Sequence, residues 1–138
     1  MRGGVALSGL ALALLAAGLG SACRSVADET PHVAVDPFLT THARQQPVRV
    51  LVELRIAGGV TPEGQLTATA VEAQRLAIAT ARISVLAGLA GTKFLLVREY
   101  ATTPHLALEV GADALAALEA MGDHVRRVTA DEVSAPTR

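Results

Sequence analysis

Between Val48 and Ile56 the chain alternates, with Val48, Val50, Val52, Leu54 and Ile56 on one parity and Arg49, Leu51, Glu53 and Arg55 on the other. A two-residue period of this kind predicts a strand with one buried face. Gly58-Gly59 and Pro62-Glu63-Gly64 follow it as turn chemistry. Thr69 and Glu72 then form a capping box ahead of an Ala-rich stretch, which predicts a helix running to Gly88 or Gly91. Val71, Ile78, Val85 and Leu89 share one face of it at helical spacing, flanked by Ala81 and Leu86, and that face should meet the sheet. Leu76 and Ile83 lie about a third of a turn or more away, so they should either widen the buried arc or meet the chain N-terminal to the strand.

Phe94–Tyr100 and His105–Val110 predict two more strands, joined by Ala101-Thr102-Thr103-Pro104 as an antiparallel hairpin. A shorter helix is expected from Ala112 to Met121, with Leu115 and Leu118 inward and Gly122 as its stop, before a last strand over His124–Ala130. The order strand, helix, strand, strand, helix, strand is the split βαβ pattern of a ferredoxin-like α+β sandwich. It predicts a four-stranded antiparallel sheet with two helices on one face and the first and third strands central. On the other, open face the pattern places Leu51, Leu95, Val97 and Ala107 among Arg49, Glu53, Glu99, His105, Glu109 and Arg127. A mixed apolar and charged sheet face is that of a docking surface, or of a solvated face with scattered apolar residues.

The flanks differ in kind. Residues 1–22 carry Arg2, an apolar run from Val5 to Leu19 and then small residues, the pattern of a signal peptide. Two cleavage points compete. Gly20-Ser21-Ala22-Cys23 is a relaxed lipobox, with Gly20 where Leu is usual, and makes Cys23 a lipidation site and a point of membrane attachment; Ser25-Val26-Ala27 offers a cut after Ala27. Export to the periplasm, the cell envelope or the medium is expected in either case. Residues 23–47, with Pro31, Pro37 and Pro47 and no sustained period, read as a flexible arm, which leaves a domain at 48–131 and a tail at 132–138.

Composition then removes whole classes of function. Among 138 residues, 12 Lys and Arg oppose 13 Asp and Glu, so no basic field exists to grip a phosphate backbone. One Cys excludes a disulfide framework and cysteine-rich zinc sites. His32, His42, His105 and His124 occur at no metal-ligand spacing, no Ser occupies a G-x-S-x-G elbow, and Gly58-Gly59 lacks the spacing of a phosphate loop. Neither a cofactor nor an enzymatic activity is expected, and the free chain should be a monomer.

Several phrases in order carry a resemblance: Val48-Arg-Val-Leu-Val-Glu-Leu54, Thr61-Pro-Glu-Gly64, Glu72-Ala-Gln-Arg-Leu-Ala-Ile78, Tyr100-Ala-Thr-Thr-Pro-His-Leu-Ala-Leu-Glu-Val110, Ala114-Leu-Ala-Ala-Leu118 and Val125-Arg-Arg-Val-Thr-Ala-Asp131. Together they resemble the propeptide of bacterial subtilisin-like serine proteases, and the stand-alone inhibitors related to it, over about Val48 to Asp131. The resemblance implies a domain that docks by its open sheet face on two surface helices of the protease and lays its C-terminal extension in the substrate cleft. It implies two roles, inhibition and templating of protease folding. With no protease domain following in this sequence, either role would be exercised in trans. Leu51, Leu95, Val97 and Ala107 would form the docking face, and Glu99, Glu109 and Asp131 would meet the positive N-termini of the docking helices.

Family propeptides place the residue before the scissile bond six or seven positions after the Asp corresponding to Asp131. The cleft tail is therefore expected in Ser134, Ala135, Pro136, Thr137 and Arg138. An extended peptide pairing with a cleft edge needs the N–H of its third residue back, and Pro has none. The register with Thr137 at the cleavage point, Pro136 second and Ser134 in the outer pocket satisfies this; Arg138 there would place Pro136 third. The alternative from a different class is a ferredoxin-like small-ligand binding or regulatory domain of an envelope lipoprotein, which would need a convergent polar pocket.

Overall fold

Nine elements follow one another in the computed structural model, which describes residues 31–131. They are β1 (Ala34–Val35), α1 (Pro37–Ala43), β2 (Val48–Leu54), a 3-10 turn (Glu63–Gln65), α2 (Ala68–Gly88), β3 (Phe94–Glu99), β4 (His105–Val110), α3 (Ala112–Glu119) and β5 (Val125–Ala130). The expected signal peptide, Cys23 and the 132–138 tail lie outside the described residues.

The strands form one five-stranded sheet in the order β1-β5-β2-β4-β3. β2 pairs antiparallel with β4 and β5, β3 pairs antiparallel with β4, and β1 lies parallel to β5. The fold is thus α+β with a mixed sheet and three α-helices, in place of the four antiparallel strands and two helices expected. Both additions come from the segment read as a flexible arm. Ala34 and Val35 pair with Arg127 and Val128, and Asp36 caps α1 by accepting the Phe38 amide at 3.0 Å, with Pro37 in the first turn. Pro is suited to that position because its missing N–H has no intrahelical partner there. A seven-residue helix does not persist alone in water. α1 is held by Leu39 and Ala43, which are buried in the same cluster as the rest of the core.

That cluster lies between the sheet and the helices. Val50, Val52 and Leu54 of β2, Leu106, Leu108 and Val110 of β4, and Val125 and Val128 of β5 meet Ile78 and Val85 of α2, and Ala114, Leu115 and Leu118 of α3. The alternation in β2 is therefore real, but it stops at Leu54. The Leu54 and Arg55 amides turn to the Pro104 and His124 carbonyls, and Ile56 is only half-buried. α2 begins earlier than expected. Thr67, not Thr69, is its cap, accepting the Ala70 amide at 3.3 Å; Thr69 already lies inside the first turn. Leu76 and Ile83 do neither of the things expected of them and stay 69% and 68% exposed.

Gly91, with φ +86°, makes the left-handed turn after α2. Gly122 acts differently from the helix stop expected: α3 ends at Glu119, and the Pro31 carbonyl approaches Gly122 too closely for any Cβ. Glycine there lets the chain entering β1 lie against the turn before β5.

α3 has no capping side chain at Gly111, and Asp113 serves its N-terminal end instead. Its carboxylate accepts the Lys93 amide at 2.9 Å, and this bond, with weaker ones from nearby amides, holds its pKa below the ordinary aspartate value. A depressed folded pKa contributes stability that is complete above the unfolded value of about 3.9 and disappears as pH falls through the folded one. Asp113→Asn should therefore lower Tm at neutral pH, and the gap to wild type should close below about pH 4, as read by thermal unfolding across pH.

Candidate functional site

The face of the sheet opposite the helices carries no described helix. β2 presents Arg49, Leu51 and Glu53 on it, and β4 presents His105, Ala107 and Glu109, because the intervening residues of both strands are buried beneath the helices. Pairing sets them in rows. Arg49 opposes Glu109 and Glu109 opposes Leu95; Leu51 opposes Ala107 on one side and Thr129 on the other; Glu53 lies between His105 and Arg127.

The row through Leu51 is the least polar. Ala107 is only 2% exposed, so it serves as a floor with its neighbours standing above it, while Leu95 at 61% stands free. On either side the charges are paired. Arg49 reaches Asp131 at 3.3 Å, and the Asp131 amide donates to the Arg49 carbonyl at 3.0 Å, which ties the end of the domain to β2. Glu109, Arg49 and Asp131 thus line up as minus, plus and minus. At the other end Glu53 accepts a hydrogen bond from Arg126 at 3.1 Å.

β3 departs from the expected alternation. Its register with β4 shifts between Leu96 and Arg98, so that Leu95 opposes Glu109 and Leu96 opposes Leu108, but Arg98 opposes Ala107 and Glu99 opposes Leu106. An extra residue in one strand exchanges the faces of everything beyond it. Glu99 consequently leaves the open face. It sits on the helix side, opposite a buried leucine, and pairs with Arg82 of α2 at 3.3 Å. Arg98 takes its place on the open face. Val97, the bulged residue, stays there and with Arg98, Arg49, Tyr100, Ala107 and Asp131 lines an open cavity of about 360 Å³.

Leu51, Leu95, Val97, Ala107, Glu109 and Asp131 are therefore brought together, and Glu99 is not. Arg98 and Tyr100 are the residues missed. One signal for Arg98 was available: strict alternation from Leu95 assigns it to the apolar face, where an unpaired arginine is costly, and that conflict marks a shift of register. Among the described residues no three His, Cys, Asp or Glu side chains gather as a metal site, and no helix is long and apolar enough to cross a membrane. Comparison of the chain with protein-family models, with curated proteins and with solved structures found no match.

Proposed function

We propose that this chain is a proteinaceous inhibitor, or a trans-acting folding helper, of a subtilisin-like serine protease. The observation that carries the proposal is the sheet face that no helix among the described residues covers. The row Arg98, Ala107, Leu51 and Thr129 carries its apolar residues at its centre, with the bulged Val97 next to Arg98 and Leu95 exposed in the adjoining row beside Glu109; Asp131 is fastened to β2 at the sheet end that leads to residues 132–138. Strands β2 to β5 with α2 and α3 keep the βαββαβ order and the spatial order β5-β2-β4-β3. We infer a ferredoxin-like core, to which β1 and α1 are additions.

In this assignment the apolar centre of the Leu51 row supplies desolvated area against the protease, and Glu109 and Asp131 face the N-termini of its docking helices. Arg49 between them sets how much negative charge is free to act. The tail then occupies the cleft as an extended strand. Export through residues 1–22, with Cys23 as an anchor, would put the domain in the compartment of a secreted protease.

Titration of the chain against purified subtilisin with a chromogenic substrate tests the proposal: hydrolysis should fall with increasing inhibitor, and undiminished hydrolysis with no complex on a sizing column would sink it. Leu95→Arg maps the face. A charge at the exposed apolar residue beside that row should weaken inhibition at least about tenfold, while the thermal transition stays within a few degrees of wild type because Leu95 is exposed. Unchanged inhibition would move docking off this face.

A further inference from the structure

Arg98 is a cation on the open sheet face that strict alternation does not put there. The extra residue at Val97 carries it from the helix side to a position opposite Ala107 and sends Glu99 the other way. A bulge re-aims side chains in this manner, and here only one of the two re-aimed charges gains a partner. Glu99 pairs with Arg82 at 3.3 Å, whereas among the described residues no ion pair includes Arg98. The open cavity that Arg98 lines, about 360 Å³, sets the guanidiniums of Arg49 and Arg98 and the phenol of Tyr100 against one carboxylate, that of Asp131, and Arg49 already occupies it at 3.3 Å. Glu109 lies in the adjoining row, opposite Arg49 and Leu95, and does not line the cavity.

In the free chain an exposed guanidinium is satisfied by water, which accepts from its N–H groups. Covering the face removes that water. A desolvated guanidinium left without an acceptor weakens a complex by orders of magnitude. The docking proposed above, on which this inference rests, covers the cavity, because it uses Val97 and Ala107 in its wall and floor. It also brings helix N-termini to Glu109 and Asp131. Helix N-termini present N–H donors and a positive potential, so they repel Arg98 and offer it no acceptor. The acceptor has to be a side chain, and a carboxylate is the group that matches the planar fork of a guanidinium.

We propose that this cavity receives an aspartate or glutamate side chain of the protease, held by Arg98 with the Tyr100 hydroxyl as a further donor, and that Arg98 thereby sets which subtilisin-like proteases the chain binds. A protease with an acidic residue at this point gains a charge-assisted pair. One with a neutral or basic residue there leaves Arg98 desolvated and unmatched, and is discriminated against by that cost.

The sign of one substitution tests this. The full chain and its Arg98→Gln and Arg98→Glu variants are titrated against purified subtilisin with a chromogenic substrate, beside Leu95→Arg. Arg98→Gln should raise the inhibition constant about 30-fold or more, and Arg98→Glu about tenfold further, since it sets like charges together. Between about 50 and 500 mM salt the wild-type constant should rise more steeply than that of Arg98→Gln. Circular dichroism and the thermal transition should match wild type in both variants, because Arg98 is exposed and unpaired within the domain. Inhibition that is unchanged or tighter in Arg98→Gln, as follows if Arg98 has no partner in the complex or is matched from within the chain by Glu132, would overturn the inference. If Leu95→Arg still weakens inhibition in that case, the docking face stands and only the role of Arg98 falls. A wild-type chain that does not inhibit removes the docking reading and this inference with it.

Discussion

Removal of Ser134–Arg138 is expected to raise the inhibition constant against subtilisin by about 30- to 1,000-fold, with the thermal transition unchanged. The magnitude follows from what an extended segment contributes when it adds to a cleft edge. Two to four hydrogen bonds at a net 0.5–1.5 kcal/mol each, with pocket contacts at Thr137 and Ser134, amount to about 2–4 kcal/mol. Each 1.4 kcal/mol corresponds to about a factor of ten. What remains after truncation measures the sheet face alone, so truncation and Leu95→Arg separate the two parts of the proposed contact. The fold should not notice the deletion, because Asp131 is the last residue engaged with β2 among those described, and its amide and carboxylate are both retained. Equal inhibition before and after truncation would remove the tail from the mechanism and leave docking as the whole of it. A small-ligand binding domain would show no inhibition in either form.

Leu39→Ala should cost about 2–5 kcal/mol of unfolding free energy, read from the shift in urea midpoint at constant m. Leu39 is 1% exposed and belongs to the same buried cluster as Val50, Leu108 and Leu118. Truncating it leaves a cavity between α1 and the rest of the core, and a helix of seven residues has no stability of its own with which to adjust. If residues 34–43 behaved as an arm, the same substitution would change stability by less than about 0.5 kcal/mol. The measurement therefore decides whether β1 and α1 belong to the cooperative unit. It matters for function too, since an inhibitor that acts in trans must be folded before it meets its protease.

How much of this was legible depends on the length of each element and on what holds it. β2 and β4 were readable because each buries one parity over six or seven residues, and the one buried residue of the other parity, Ala107, is small enough not to break the pattern of large side chains. Leu115 and Leu118 of α3 were readable for the same reason at helical period. β1 was not, since two residues cannot show a period, and α1 offered only Asp36-Pro37 as a starting signal, which a linker rich in Pro also contains. Within the candidate site, Leu51, Ala107 and Glu109 sit where alternation put them. Glu99 does not, because one extra residue at Val97 lets β3 follow β4 while exchanging its faces. Arg82, waiting on α2 at a distance of 17 positions in sequence, completes that exchange with an ion pair.

Local periodicity by itself determined the succession from β2 to β5, the inward side chains of β2, β4 and α3, and a sheet surface that no helix among the described residues covers. Tertiary contact alone decided the parallel fifth strand, the docking of α1, the close approach of Pro31 to Gly122, the side of the sheet taken by Glu99, and the exposure of Leu76 and Ile83. The division has one physical cause. A long amphipathic element carries its orientation in its own repeat, whereas a short element or a bulge has its free energy in partners far along the chain, and its place exists only once those partners are assembled.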